Sequence, residues 1–328
     1  MIRIVALKLT ILLTLSLPFY TAHGQDYDLT REWHQWRGPD RSGTWYNGPA
    51  VNFLEEDVIE QVWETGIGSG YSGPTVSGGR VYVMDLHQGS ERVMCFDAMS
   101  GKEAWSFSYP VSYSVGYPTG PRASVIIREG KAYSWGTMGD LYCLEAGSGK
   151  ELWHVNAVDQ YKSRIPIWGL ASNPILVNDK LIVQLGGISG ASLVAFSKDT
   201  GREIWRALDD EASYSAPLLI SQAGTQVLVC WTGESITGLD PQTGKIFWTL
   251  LFQPGKMIMN IANPVYDPPY LFLSGFFDGS YLVRLSQETI SAELVYHRHG
   301  PDEKNTDALH CCISTPLIKN GFVYGIDS

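Results

Sequence analysis

The chain lacks most of the patterns that mark a known chemistry. It has five cysteines in 328 residues, an odd number. None forms a CxxC or CxxCH arrangement, so zinc ribbons and covalently attached haem have no support. His297, His299 and His310 make no metal-ligand spacing. There is no nucleophile elbow, P-loop or dinucleotide fingerprint. Lys and Arg number 24 against 34 Asp and Glu, and the net charge is −10 without a basic cluster. That argues against nucleic acid and anionic membrane surfaces as partners. Beyond the first two dozen residues no apolar run is long enough to span a bilayer.

Residues 1–24 read as a cleavable secretory signal. Arg3 and Lys8 give a positive start, Leu9 to Tyr20 is apolar, and Ala22 and Gly24 sit at the small-residue positions before a cut that leaves Gln25 first. The mature protein is therefore expected in the periplasm or outside the cell, without a membrane span. Residues 25–57 form an N-terminal extension, and residues 58–328 hold the repeated part.

What the chain does have is an eleven-residue phrase that returns four times. It reads CFDAMSGKEAW from Cys95 to Trp105 and CLEAGSGKELW from Cys143 to Trp153. It recurs as AFSKDTGREIW from Ala195 to Trp205 and as GLDPQTGKIFW from Gly238 to Trp248. The Trp-to-Trp spacings are 48, 52 and 43 residues. Self-similarity at this period means a repeat architecture. Before each Trp phrase stand short β-branched runs bounded by turn residues, such as Gly73 to Val76 and Arg80 to Met84. One further strand opens the phrase and another follows its turn. Four antiparallel strands per repeat make one blade of an all-β propeller.

A fifth repeat is readable, with Ile290 in place of the turn Gly and Leu294 in place of the Trp. A sixth starts at Thr315 and stops at Ser328. Upstream, Ile59 to Glu64, with Trp63, reads as a lone fourth strand. The expectation is five complete blades plus part of a sixth, within a longer product of seven or eight. The repeat-equivalent Trp63, Trp105, Trp153, Trp205 and Trp248 are expected to pack between blades. Cys95 and Cys143 fall at the same place in successive repeats and read as small buried fillers.

Two residues before each inner strand stand Ser72, Ala123, Ser172, Ser215, Ala262 and Ser314. Small side chains there let backbones converge on the axis. Residues nearby should then rim one mouth of the channel: Tyr71, Arg122, Trp168, Tyr214, Asn260, His310, Cys311 and Cys312. Arg122 and Trp168 are the strongest ligand candidates, since an Arg beside aromatics suits an anionic or sugar-like ligand.

The Trp phrases resemble the tryptophan-docking repeats of the pyrroloquinoline quinone (PQQ)-like β-propeller family. His34-Gln35-Trp36-Arg37-Gly38-Pro39, then Arg41 and Gly43, and the stretch from Gly68 to Val83 are similar to an exported bacterial subgroup. The family includes quinone-dependent dehydrogenases and non-catalytic members such as the propeller lipoprotein of the outer-membrane assembly machine. The resemblance therefore implies two readings. The first is a non-catalytic binding or scaffold protein with a protein or saccharide partner at the channel mouth and no cofactor. The alternative is a dehydrogenase of alcohols or sugars that uses PQQ and calcium. For the alternative, Asn156, Asn173, Asn260, Asn263 and Asp307 offer oxygens, and Cys311–Cys312 would be a vicinal disulfide of the kind those enzymes carry. Otherwise the pair is two small residues.

Overall fold

The structure is a computed structural model that describes residues 32–45, 60–117 and 120–327. The proposed signal segment lies outside the described residues. Five four-stranded antiparallel sheets follow one another along the chain. Blade 1 holds β1 (Thr75–Ser77), β2 (Arg80–His87), β3 (Ser90–Asp97) and β4 (Glu103–Pro110). Blade 2 holds β5 (Ile126–Arg128), β6 (Lys131–Trp135), β7 (Asp140–Glu145) and β8 (Glu151–Asn156), followed by a helical turn, α1 (Ala157–Tyr161). Blade 3 holds β9 (Ile175–Val177), β10 (Lys180–Gln184), β11 (Leu193–Ser197) and β12 (Glu203–Ala207). Blade 4 holds β13 (Leu218–Gln222), β14 (Thr225–Trp231), β15 (Ser235–Leu239) and β16 (Ile246–Leu251). Blade 5 holds β17 (Val265–Asp267), β18 (Tyr270–Gly275), β19 (Gly279–Leu285) and β20 (Ala292–Arg298). A two-stranded sheet, β21 (Leu317–Lys319) with β22 (Phe322–Tyr324), starts a sixth. The architecture is the propeller that the repeat implied.

The apolar core lies between blades. One cluster joins Leu141 and Trp135 of blade 2 to Leu181 and Val183 of blade 3, and others link blades 1 and 2, 3 and 4, and 4 and 5. Each tryptophan couples its own repeat to the next. The indole N–H of Trp63 donates to the Ala98 carbonyl at 2.8 Å, that of Trp105 to Ala146 at 3.0 Å, that of Trp153 to Lys198 at 3.1 Å and that of Trp205 to Pro241 at 3.2 Å. Three residues after each acceptor comes the turn glycine: Gly101, Gly149, Gly201 or Gly244. All four have φ between +67° and +74°, and the docked ring lies where a Cβ would stand. Glycine is needed there twice over, for the left-handed backbone and for the space. Within its own blade each ring faces a small residue: Trp105 pairs with Cys95, Trp153 with Cys143, Trp205 with Ala195 and Trp248 with Gly238. Cys95 and Cys143 are the buried fillers that the repeat implied, and burial pushes the Cys143 thiol up to about 12.

Blade 5 lacks the turn glycine, and Trp248 docks differently. Its N–H donates to the Gln222 side chain at 3.0 Å, and Gln222 in turn donates to the Ser291 carbonyl at 2.7 Å. A second departure concerns Trp63. Ile59 lies outside the described residues, and residues 60–68 form no strand, contrary to the expected lone fourth strand. No neighbouring strand among the described residues offers it a ladder, so only the ring docks.

The hub is built as the small residues suggested. The Ser172 hydroxyl donates to the Ser215 carbonyl at 2.9 Å, and the Ser215 hydroxyl to the Ala262 carbonyl at 3.0 Å. The strands that open blades 3, 4 and 5 are thus tied in turn at the same height. Residues 32–45, read from sequence as part of a separate extension, lie against these inner strands (for example, the Val76 amide donates to the Trp33 carbonyl at 2.9 Å).

The docking geometry can be checked with two alanines. Gly130 has φ +73° with open space around it, whereas a Cβ on Gly149 would stand 2.5 Å from the Trp105 ring. Gly130→Ala should cost about 1 kcal/mol in urea unfolding from backbone strain alone. Gly149→Ala should cost about 1–3 kcal/mol more, from overpacking. Equal losses would show that the ring does not depend on the glycine.

Candidate functional site

The connections from each outer strand to the next inner strand gather at one face of the ring. There they enclose a cup of about 430 Å3. Tyr71, Arg122, Trp168, Tyr214 and Cys312 line it, so five of the eight rim candidates come together. Trp36, Tyr117, Ala171, Asn173, Met259, Ile261, Asn263 and Ile313 complete the wall.

Arg122 is the only charged residue of this lining among the described residues. Its guanidinium donates to the carbonyls of Gly120 and Tyr117, the latter at 2.6 Å, and touches the Thr137 hydroxyl at 3.5 Å. It lies over the Tyr71 ring at 5.4 Å from the centroid. None of these partners carries an opposite charge, and burial lowers the Arg122 pKa from its ordinary value. The cation is thus held in place by dipoles and a π-face with no direct ion pair, and the nearby Glu91 carboxylate offsets part of its charge. Beneath it, the Glu91 carboxylate is fully buried. It accepts from the hydroxyls of Tyr109 and Tyr113 and from the Thr137 amide at 3.1 Å. This network fixes the Tyr113–Tyr117 loop against Arg122.

On the opposite wall Trp168 and Tyr214 pack with ring centroids 5.3 Å apart and planes tilted by 39°. The Trp168 amide donates to the Tyr214 hydroxyl at 3.3 Å. The floor is Trp36, whose indole N–H donates to the Asn263 side-chain oxygen at 3.4 Å. Tyr71 and Tyr117 stand 58% and 70% exposed, which leaves aromatic faces open to a ligand. Such a surface suits a sugar ring or a flat apolar face, with one anionic group on Arg122.

The other three candidates do not reach the cup. Asn260 is buried, and its amide donates to the Thr232 carbonyl at 2.8 Å. His310 is buried between the Phe276 carbonyl at 2.8 Å and the Thr306 hydroxyl at 3.0 Å. Cys311 is buried under the Ser274 hydroxyl, to which its amide donates at 2.9 Å. The structure carries Cys311 and Cys312 as thiols. Trp36 and Tyr117 were missed. Trp36 lies outside the repeats, and Tyr117 is several residues upstream of the small hub residue used to find the rim.

The oxygens proposed for calcium are scattered. Asn156 caps α1 by accepting from the Asp159 amide. Asp307 lines a separate cavity of about 240 Å3 beside Tyr296 and Arg298. In the cup, the Asn173 oxygen already accepts from the Ser124 amide at 2.7 Å, and the Asn263 oxygen accepts from Trp36. Calcium asks for six to eight oxygens, usually with carboxylates among them. This lining offers no carboxylate and two engaged amides, so it does not fit that ion.

A larger open groove of about 1020 Å3 runs beside the cup, between residues 164–167 and 251–258. Its cations are paired, Arg164 with Glu211 at 3.0 Å and Lys256 with Glu303 at 3.3 Å, which makes the cup the better site for an anion. Below the groove the Asp278 carboxylate accepts from the Gly255 amide at 2.6 Å, while its other oxygen is buried without a partner. Desolvation raises its pKa, against the opposing charges of His297, His310 and His299.

These features belong to a fold shared with known proteins. A family profile described as "Outer membrane protein assembly factor BamB" matches residues 51–131 and 90–276. The chain belongs to this family of PQQ-like repeat propellers. It is 25% identical over 183 residues to quinoprotein alcohol dehydrogenase PedH of Pseudomonas putida, covering 48% of this chain and 28% of that protein. It is 29% identical over 164 residues to BamB of Shewanella oneidensis, covering 46% and 38%. Among solved structures, quinohemoprotein alcohol dehydrogenase of Comamonas testosteroni superposes with a TM-score of 0.62 at 17% identity, covering 90% of this chain and 52% of that one. A europium-containing methanol dehydrogenase gives 0.59 at 17% identity, covering 89% and 66%. The chain thus spans about half of the first structure, and the curated alignments reach less of their partners.

The Asp278 environment makes a prediction with a definite sign. A carboxyl whose folded pKa is raised binds its proton more tightly when folded, so stability falls as pH rises from 3.8 through the folded value. Asp278→Asn keeps the acceptor for Gly255 and removes the charge. It should stabilise the protein on the order of 1 kcal/mol at pH 7 and give no gain near pH 3, measured by urea unfolding. A loss at pH 7 would mean that the ionised carboxylate is stabilising.

Proposed function

We propose that the protein is an exported, non-catalytic binding protein that takes an acidic group, carried by a saccharide or a protein partner, in the aromatic cup at its channel mouth. The observation that carries this reading is Arg122, a half-buried cation whose direct hydrogen-bond partners are all neutral, set among open aromatic rings. A cation in a desolvated wall that lacks a direct ion pair is stabilised further by an anion it binds, and aromatic faces hold a sugar ring. Export is supported by the leader-like residues 1–24 and by the matching family's description as an outer-membrane assembly factor. No helix of the described residues is long and apolar enough to cross a membrane.

The alternative, a PQQ- and calcium-dependent dehydrogenase, is favoured by the names of several relatives. Family membership does not decide between the two, because dehydrogenases and an assembly factor both appear among the relatives. The donor set of the cup argues for the binder. Two calorimetric titrations of the secreted protein separate the readings. Trigalacturonate should bind, and Arg122→Ala should weaken it about 10- to 100-fold, the worth of a charge-assisted hydrogen bond, while neutral maltotriose should be indifferent to the change. PQQ should give no calcium-dependent heat. Tight, calcium-dependent PQQ binding at one site would overturn the proposal in favour of the enzyme.

A further inference from the structure

Residues 32–43 reach blades 1 and 2 and the loops that lead into blades 3 and 5. The Glu32 carboxylate accepts from the Ser77 hydroxyl at 2.5 Å and the Gly78 amide at 2.7 Å, at the far end of the inner strand of blade 1. The His34 carbonyl accepts from the Ile127 amide of blade 2 at 2.9 Å. Arg41 donates to the Pro174 and Asn173 carbonyls ahead of blade 3, at 2.8 and 3.2 Å. Trp36 donates to Asn263 ahead of blade 5. The segment therefore runs up the channel from one mouth toward the cup. Its fold is fixed locally: Gln35 donates to the Pro39 carbonyl at 2.8 Å, the Gly43 amide to the Arg37 carbonyl at 2.9 Å, and Arg37 Nε to the Arg41 carbonyl at 3.0 Å. Gly38, at φ +81°, packs under the Trp33 ring.

Three observations tie this segment to ligand binding. Trp36 is itself cup lining, and of the residues it and Arg41 engage, Asn263 and Asn173 are cup lining too. Arg41 is 5% exposed, yet its partners are backbone carbonyls and its Nε is buried without a partner. Burial and the neighbouring Arg37 both lower its pKa, so seating this side chain costs free energy that the segment's other contacts must offset. An element held with an internal strain of this kind has a smaller margin than the blades around it.

We propose that residues 32–43 are a working part of the site: they form the floor of the cup, Arg41 positions that floor, and seating of the segment is thermodynamically coupled to binding in the cup. A ligand that binds only the seated form suppresses the unseated form about a hundredfold at a hundred times its Kd, and the coupling is reciprocal. The ligand half of this inference rests on the reading of the cup as a binding site, whereas the floor half does not.

The test uses the full secreted chain and the cysteine inventory. Cys95, Cys143, Cys230 and Cys311 are buried, and Cys312, on the cup wall, is the partly exposed one. Alkylation of Cys312 by N-ethylmaleimide, read by mass spectrometry, reports on the cup. Trypsin cleavage after Arg37 reports on the segment. Arg41→Gln should raise the Cys312 rate severalfold and cleavage at least tenfold, with Arg41→Lys between it and wild type, and should weaken trigalacturonate about tenfold. Trp36→Phe keeps a ring and loses the bond to Asn263, so it serves if Arg41→Gln fails to fold, and a smaller change of the same sign is expected. Wild-type rates in a folded Arg41→Gln would overturn the floor. Equal trigalacturonate affinity in wild type and a loosened variant would overturn the coupling. No trigalacturonate binding to wild type would count against the ligand reading and the coupling built on it, while the alkylation and cleavage rates would still decide the floor.

Discussion

The structure depends on an indole laid across a left-handed glycine of the following repeat. A single blade is a small twisted sheet with two apolar faces and cannot bury both by itself. The ring covers part of that face, its N–H satisfies a turn carbonyl that would otherwise be stranded, and its thickness sets the gap between repeats. The four glycine-bearing turns share one geometry. Where glycine gives way to isoleucine at position 290, the contact survives as a relay through buried Gln222 rather than by stacking. The requirement is thus the linkage between blades, and the glycine is the compact way of meeting it.

Regular spacing at the rim becomes order at the hub. Serine hydroxyls hand the backbone from blade 3 to 4 and from 4 to 5, so the loops that precede these inner strands arrive at a common height. Large side chains on those loops then converge. Arg122, Trp168 and Tyr214 come from three different connections and need no contact in sequence to share a cavity. The rigid ring explains how loop residues hold a fixed arrangement, which is the condition for selective binding.

Much of this was legible in the sequence because it repeats. Four phrases ending in Trp gave the blade period, and the small residues before each inner strand marked the hub and, through it, five of the cup residues. The failures have physical causes. Asn260 sits between Met259 and Ile261, and its side chain turns away from theirs to the Thr232 carbonyl. Met259 and Ile261 face the cup, and Asn260 faces the protein. Cys311 is buried toward Ser274, and the bend that follows brings Cys312 and Ile313 to the cup. Trp63 kept its docking ring without its strand, because a ring needs one acceptor and a strand needs a neighbour. Trp36 was invisible as a site residue because the segment that carries it occurs once and has no repeat to calibrate it.

The central claim is that ring, hub and N-terminal segment form one unit whose mouth is the binding site. The Ile127 amide tests it most directly, since its acceptor is the His34 carbonyl rather than a strand of its own blade. Residue-resolved hydrogen exchange should find this amide protected on the order of a thousandfold, well above an open loop and below the amides paired within the blades. Exchange at the rate of an open loop, with neighbouring blade amides still protected, would place the segment outside the channel and contradict the account.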